Sequence, residues 1–170
     1  MLIKKCILCK RPISKLVALV NKVKIEECPH CELAVSGKVT GTKKKLYGTT
    51  SFYSFKSAKL NINKYIAKYE KVIERMSMFV SDGKVLDVGG GFGLFSALLS
   101  KEKHFSVTVL EPNLKPFYLD TVKGVNLIKK SFLKFRGRKK TYSAITFLDV
   151  LEHFKDPIQA LHKTRELLKF

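Results

Sequence analysis

The stretch KVLDVGGGFG, residues 84–93, decides the fold. Its first half, residues 84–88, is a short run rich in β-forming side chains. Its second half is a turn built around Gly89, Gly90, Gly91 and Gly93. Apolar residues then recur from 94 to 99 at the spacing of a helix. The stretch therefore predicts a strand, a glycine turn and a helix in immediate succession.

Three further β-rich runs follow, at residues 105–110, 125–128 and 142–147. Helical patterns lie between or beside them: an amphipathic helix over 57–80, a helix within 115–122, and a last helix that begins at Asp156 and Pro157 as N-cap and first position. Strands that alternate with helical crossovers favour a parallel, doubly wound α/β sheet. In such sheets ligands bind at the carboxyl ends of the strands.

The glycine turn lies at one such carboxyl end, where missing side chains let a ligand approach the backbone. Glu111 follows the second strand, 22 residues beyond Gly89, a position suited to accept hydrogen bonds from the hydroxyls of a ribose. The pair predicts a site for a cofactor that contains a nucleoside. A dinucleotide is less favoured, because the sixth position of the G-x-G-x-x-G pattern is Leu94.

Three motifs resemble those of class I S-adenosylmethionine-dependent methyltransferases. VLDVGGGFG (85–93) looks like their first motif, and VLEPN (109–113) looks like their second. FLDVLEHFKDP (147–157) is similar to the LEH segment of the subgroup that includes ubiquinone-biosynthesis O-methyltransferases. The resemblance implies a partial Rossmann-like sheet in the order 3-2-1-4, S-adenosyl-L-methionine as cofactor, and transfer of a methyl group to an O, N or C atom of an acceptor, with a small molecule favoured.

The resemblance also implies roles for particular residues. The predicted cofactor-binding residues are Asp87, Gly89, Gly91, Gly93, Glu111, Pro112, Leu148 and Asp149. Glu152 and His153 would face the acceptor, and His153 is the candidate general base, since an imidazole accepts a proton near neutrality. A capping or packing role for His153 at a loop–helix junction is an equal alternative.

The family's sheet has seven strands, and this sequence ends in the helix after the fourth. We therefore expect an incomplete sheet whose fourth strand is an unpaired edge. The alternatives are a truncated protein, a protein whose sheet edge a second chain covers, and a pseudo-enzyme that keeps the cofactor half. Reduced or absent activity of the 170 residues alone is part of that expectation. The acid that many relatives carry after the third strand is replaced by Lys129 and Lys130.

All four cysteines lie near the amino terminus, as Cys6-x-x-Cys9 and Cys28-x-x-Cys31. The spacing C-x2-C-x18-C-x2-C is typical of a structural zinc site with four thiolates. A redox pair or two disulfides are the alternatives, and His30 could replace one thiolate, although a solvent-facing role is favoured. The sequence thus predicts a zinc ribbon over 1–36, a linker over 37–56 and the cofactor-binding domain over 57–170. Leu16, Leu19, Val23 and Ile25 are expected to form a hairpin packed beside the metal.

The chain carries 33 Lys and Arg against 14 Asp and Glu, a formal net charge of +19. With 45% hydrophobic residues it is too apolar for an intrinsically disordered protein. Its longest apolar runs are too short for a membrane helix, which favours a soluble, cytoplasmic protein. The basic charge keeps a second class open, a nucleic-acid-binding zinc protein or an RNA methyltransferase, although lysine-rich solvated surface is the commoner reason for such charge.

Overall fold

The computed structural model describes residues 5–36, 62–113 and 124–169. The chain divides into two compact units, Met1–Ala58 and Lys59–Phe170. The predicted linker over 37–56, the start of the helix predicted over 57–80 and the helix predicted within 115–122 lie outside the described residues. The predicted domain boundaries therefore stay predictions.

The first unit contains a three-stranded antiparallel sheet in chain order, β1 (Lys15–Val20), β2 (Val23–Glu27) and β3 (Ala34–Ser36). The predicted hairpin is present, but its packing beside the cysteines was predicted wrongly. Leu16 and Leu19 are 58% and 65% exposed. Every position of β1 is exposed. The cysteines pack instead against Ile13, Leu33 and Val35.

The second unit is built on a four-stranded sheet that is parallel throughout. Its strands are β4 (Gly83–Val88), β5 (Phe105–Leu110), β6 (Val125–Ile128) and β7 (Ala144–Thr146). Their order across the sheet is β6-β5-β4-β7, which confirms the predicted order 3-2-1-4. Strand β4, which carries the glycine turn at its end, therefore lies between two neighbours.

Helices cover both faces of this sheet: α1 (Ile62–Ser77), α2 (Leu94–Leu99) and α3 (Pro157–Leu167). Successive residues of β4 point to opposite faces. Val85 accordingly packs with Ile73 of α1 and Leu99 of α2. Leu86, its neighbour, packs on the other face with Ala160 of α3. The predicted doubly wound α/β architecture is confirmed, and no helix in the described ranges is long and apolar enough to cross a membrane.

The last helix begins as predicted, since Asp156 Oδ1 accepts a hydrogen bond from the backbone N–H of Gln159 at 3.1 Å. The fourth strand is shorter than predicted, three residues instead of six. Phe147 leaves the ladder to stack edge-on with Phe132 and Phe154, at ring distances of 5.2 and 5.9 Å. β7 forms an edge of the sheet. A second chain at that edge stays a prediction.

Candidate functional site

Three neighbouring strands end at the same edge of the parallel sheet. Gly89 follows β4, Glu111 follows β5, and Asp149 lies three residues beyond β7. Parallel pairing in register, with Asp87 opposite both Val109 and Thr146, brings these three ends side by side. The residues that the sequence predicted for one cofactor site thus meet at one edge.

The turn after β4 needs glycine for its conformation. Gly89, Gly91 and Gly93 have φ angles of +73°, +55° and +82°, in the left-handed region that other residues rarely adopt. A Cβ atom at Gly89 would also lie 2.6 Å from the Val150 side chain. At Gly91 the nearest such neighbour among the described residues is the Gly89 carbonyl oxygen at 4.0 Å, so no described side chain covers this face of the turn.

Glu111 lies half-buried beside this open face. One carboxylate oxygen accepts a hydrogen bond from the backbone N–H of Gly91 at 3.2 Å, and the other accepts one from the N–H of Asn113 at 2.8 Å. Pro112, between Glu111 and Asn113, is exposed in the turn. The carboxylate is therefore fixed against the glycine turn by two backbone groups.

Asp87 is buried beneath the turn, where a Cβ atom on Gly90 would lie 2.9 Å from its Oδ2. Its carboxylate accepts hydrogen bonds from Ser96 Oγ at 2.7 Å and from Thr146 Oγ1 at 2.9 Å. Burial raises the pKa of Asp87, and these two hydrogen bonds oppose that rise. Asp87 thus connects β4, α2 and β7 under the loop, while direct contact with a cofactor stays a prediction.

Sequence reasoning did not identify Ser96 or Thr146 as part of the site. The sequence does carry a signal for Ser96, which is the one polar residue in the otherwise apolar helical run LFSALL. In the structure Ser96 is fully buried. A buried hydroxyl needs a hydrogen-bond partner. Asp87, in the otherwise apolar run VLDV (85–88), is a polar residue that could serve as that partner. Thr146 left no comparable signal, since threonine is common in strands.

The residues that follow β7 include Leu148 and Asp149, predicted beside the cofactor, and Glu152 and His153, predicted to face the acceptor. Leu148 is half-buried against the core, and Asp149 is exposed with a φ of +55°. Lys68 of α1 donates to Asp149 Oδ2 at 2.7 Å, a contact that the helical pattern of α1 did not predict. His153 is exposed at the end of the 3-10 helix Leu151–His153. Its role as a base stays a prediction.

A second candidate site lies in the first unit, where the sulfur atoms of Cys6, Cys9, Cys28 and Cys31 all lie within 4.8 Å of one another. Cys6 and Cys31 sulfurs are 3.6 Å apart, and those of Cys9 and Cys28 are 3.5 Å apart. A disulfide requires about 2.05 Å, so all four thiols are free. Four sulfurs at about 2.3 Å from a central zinc would lie roughly 3.8 Å apart, close to the observed separations. The cluster could hold a metal ion.

Two turns of the same construction present these cysteines. The N–H of Cys6 donates to the carbonyl of Arg11, and the N–H of Cys28 donates to that of Leu33, each five residues on. Lys10 and Glu32, each four residues after the first cysteine, both have a left-handed φ near +60°. A hydrogen bond from the backbone of Cys9 lowers the pKa of Cys6 to about 7. The backbone of Leu33 favours the Cys31 thiolate, but burial and neighbouring sulfurs outweigh it and raise the pKa of Cys31 to about 12.

Comparison with known families decides what the second unit is. Residues 62–169 match the family described as a methyltransferase domain, which is more than half of the chain. The chain belongs to this methyltransferase family. The match begins with α1 and ends after α3, so the glycine turn, Glu111 and Asp149 all belong to its methyltransferase domain. No curated protein sequence matches the chain.

Solved structures share the fold of the methyltransferase domain. A proposed S-adenosyl-L-methionine-dependent methyltransferase from Methanococcus maripaludis superposes with a TM-score of 0.61 at 16% identity, covering 71% of this chain and 62% of that one. A protein from Pyrococcus horikoshii gives 0.60 at 24% identity, with 76% and 62% covered. Coclaurine N-methyltransferase, bound to N-methylheliamine and S-adenosylhomocysteine, gives 0.53 at 22% identity, with 61% and 31% covered. The chain thus spans less than two thirds of the length of each of these proteins.

Proposed function

We propose that the methyltransferase domain binds S-adenosylmethionine at the carboxyl ends of β4, β5 and β7, and that it serves methyl transfer to an O, N or C atom of a small molecule. Family membership supports the reaction class. The observation that carries the proposal is the open face of Gly91 beside the fixed carboxylate of Glu111. A ligand that approaches the glycine backbone there meets an acceptor for its hydroxyl groups.

The residues at this edge fit a nucleoside. Each carboxylate oxygen of Glu111 accepts one hydrogen bond from the backbone, from Gly91 or Asn113. A carboxylate oxygen has two lone pairs, so each oxygen keeps one position for a further donor. The two hydroxyls of a ribose would occupy those positions. Gly91 offers no side chain to obstruct them, and a Cβ there would stand on the open side.

When bound, the sulfonium cofactor supplies an electrophilic methyl group. The residues of this chain would then hold the cofactor and the acceptor and orient them toward each other. Glu111 and the glycine backbone fix the cofactor, and the residues after β7 border the acceptor. Good alignment of two reactants is worth an effective molarity on the order of 10^5 M or more. His153 would accept the proton of an acceptor hydroxyl, since an imidazole accepts a proton near neutrality.

The proposed acceptor class rests on two of the structural neighbours. Coclaurine N-methyltransferase was solved with N-methylheliamine, and the plantazolicin methyltransferase, with a TM-score of 0.53 at 16% identity, was solved with a desmethyl plantazolicin analogue. Neither ligand is a nucleic acid. These neighbours support the part of the proposal that names a small molecule as the methyl acceptor of the present chain.

Calorimetric titration of the full chain with S-adenosylmethionine and S-adenosylhomocysteine tests the proposal. We expect saturable binding to the wild type. Glu111→Gln should bind at least about tenfold more weakly, because one acceptor oxygen becomes an NH2 donor that faces a backbone N–H or a ribose hydroxyl. Glu74→Gln on the exposed side of α1 is the matched control and should bind as the wild type does. Absence of heat with the wild type, or equal affinities of the two variants, would contradict the proposal.

For the first unit we infer that the four cysteines bind one Zn2+ in a closed, structural site. Two observations support this inference. The sulfur–sulfur distances of 3.5 and 3.6 Å are close to those expected around a tetrahedral zinc ion, and two turns of the same construction present the cysteines. Four neighbouring thiols cannot all ionise unless a cation balances them, which a zinc ion does. His30 is exposed, with its Nδ1 3.2 Å from Arg11, which supports a solvent-facing role. A cytoplasmic location, where free thiols persist, belongs to the same proposal.

Metal analysis of protein purified under reducing conditions checks the zinc assignment. One zinc per chain is expected for the wild type, and much less for Cys28→Ser, because the serine hydroxyl replaces a thiolate ligand. Ser14→Ala, at an exposed position of the same unit, is the control that should keep its zinc. A zinc content near zero in the wild type would remove the assignment and leave the redox alternative.

A further inference from the structure

An open cleft of about 1170 Å³ lies at the amino-terminal edge of the parallel sheet, opposite the glycine turn. Gly83, the first residue of β4, and Thr141, just before β7, form its floor. The remaining lining residues come from β4, from the loop before β7, and from the second half of α3 and just beyond it. They are Lys84, Arg138, Lys139, Lys140, His162, Arg165, Glu166 and Lys169.

The charge of this cleft is strongly one-sided. Six lining residues are Lys or Arg, and only one, Glu166, is acidic. Glu166 Oε2 is already paired with Lys139 Nζ at 3.3 Å. No ion pair within residues 5–36, 62–113 and 124–169 engages the other five cations. Surface lysines that serve only solubility are usually dispersed, whereas these converge from three chain segments on one concavity.

The cations are held on a fixed backbone. The N–H of Lys140 donates to the carbonyl of Glu166 at 3.0 Å, and the N–H of Thr141 donates to that of Leu167 at 2.9 Å. The N–H of Lys169 donates to the Tyr142 carbonyl at 3.0 Å. These bonds join the loop before β7 to the end of α3. A polyanion would therefore meet a preformed surface and not a flexible tail.

We propose that this cleft binds the sugar-phosphate backbone of single-stranded nucleic acid, without reading its bases. The cleft is larger than the 300–1000 Å³ or so of common small-molecule pockets, and its six cations suit a row of phosphates better than one anion. A positively charged groove is how proteins follow a single strand. No Phe, Tyr or Trp is among the described residues that line the cleft, so binding there is electrostatic and does not use base stacking.

The bound strand is not the methyl acceptor at this contact. β4 runs from the cleft at Gly83 to the glycine turn after Val88, and five residue steps of about 3.3 Å separate the two edges by roughly 17 Å. The proposed role of the cleft is therefore separate from the proposed methyl transfer. It would hold the chain on nucleic acid while the opposite edge binds its cofactor.

Fluorescence anisotropy with a labelled oligouridylate of twenty nucleotides, titrated with the full chain at several salt concentrations, tests this inference. Up to six phosphate contacts predict a slope of log K against log salt near −4, at about −0.7 per contact on a single strand. Removing three cations of the cleft should weaken binding at low salt and flatten the slope by about 2. That variant combines Lys84→Gln, Lys140→Gln and Lys169→Gln.

The matched control removes the same charge from the exposed side of α1, by Lys64→Gln, Lys71→Gln and Arg75→Gln. It should change the slope much less than the cleft variant. Equal effects of the two variants would overturn the inference, as would absence of oligonucleotide binding at 50 mM salt or binding to phosphatidylserine vesicles alone. Cofactor titration of the cleft variant should match the wild type, so failure of this inference is distinguishable from failure of the proposed methyl transfer.

Discussion

The backbone N–H of Gly91 donates a hydrogen bond to the carboxylate of Glu111 across 3.2 Å, twenty residues apart in the chain. The contact joins the glycine turn after β4 to the end of β5. It means that the acid proposed to hold a ribose also fixes the loop proposed to admit it. A substitution at either residue should therefore alter the position of the other.

Gly91→Ala should weaken cofactor binding more than tenfold. The new methyl group would stand on the open face of the turn, where the ligand is proposed to approach, and alanine at a φ of +55° is strained by about 1 kcal/mol or more. Gly124→Ala is the matched control, because Gly124 also has a positive φ and a Cβ there would meet no atom of the described residues within 4 Å. Calorimetric titration measures the affinity, and equal affinities of the two variants would contradict the assignment of Gly91.

Ser96→Ala should lower the free energy of unfolding by about 1–3 kcal/mol, since Asp87 loses the 2.7 Å hydrogen bond from the serine and remains buried. Ser100→Ala serves as comparison, because Ser100 Oγ donates only to the Ala97 carbonyl within the same helix end. Its cost should stay at about 1 kcal/mol or below. Urea unfolding followed by circular dichroism ranks the two, and a larger loss at Ser100 would argue against the importance of the Asp87 network.

Asp87→Asn should change how stability depends on pH. Burial raises the pKa of Asp87 above its usual 3.8, with the Ser96 and Thr146 hydrogen bonds opposing. From pH 3.8 up to the raised pKa, the folded state binds more protons than the unfolded state, so the free energy of unfolding falls as pH rises. The contribution is fully present below pH 3.8 and is lost as pH rises through the folded pKa.

Hydrogen exchange of the β4 amides over this pH range measures the effect in the relevant part of the sheet. The stability of the wild type relative to Asp87→Asn, whose neutral amide does not titrate, should fall as pH rises above 3.8. Asp82→Asn, at an exposed position just before β4, is the matched control. A rise in the stability of the wild type relative to Asp87→Asn with pH would mean that the carboxylate is stabilised, and not penalised, by its surroundings.

Lys22→Gly should stabilise the first unit by about 0.5–1 kcal/mol. Asn21 and Lys22 connect β1 to β2 with φ angles of +48° and +64°, the geometry of a two-residue hairpin turn that favours Asn-Gly. Lys24→Gly, in the middle of β2, should instead destabilise by a similar amount. Thermal unfolding of the zinc-loaded chain compares them, and a loss of stability with Lys22→Gly would show that the lysine side chain matters more than its backbone.

Much of the second unit was predictable because its signals are local. The runs at 105–110 and 125–128 coincide with β5 and β6 residue for residue, since both are rich in residues that favour strands. Asp156 acts as the predicted N-cap because a cap depends on its own next three residues. The position of Glu111 beside the glycine turn follows from two strand ends in one parallel sheet.

What the sequence did not reveal depends on tertiary packing. The fourth strand ends early because Phe147 stacks with Phe132 and Phe154, and no local pattern encodes that choice. Leu16 and Leu19 are apolar, yet exposed. The exposure was not predictable, because a hydrophobic pattern does not specify whether other elements cover a strand. Lys68 reaches Asp149 from 81 residues away, a pairing of charges that helical periodicity does not specify.

The hydrogen bond from Thr146 to Asp87 spans 59 residues of chain. Such a contact can form only after β7 has joined the sheet, and closing so long a loop is entropically costly. The strand, turn and helix around the glycines form early from local sequence, but their buried carboxylate acquires its second partner late. The edge proposed to bind the cofactor would thus be among the last parts of the domain to become rigid during folding.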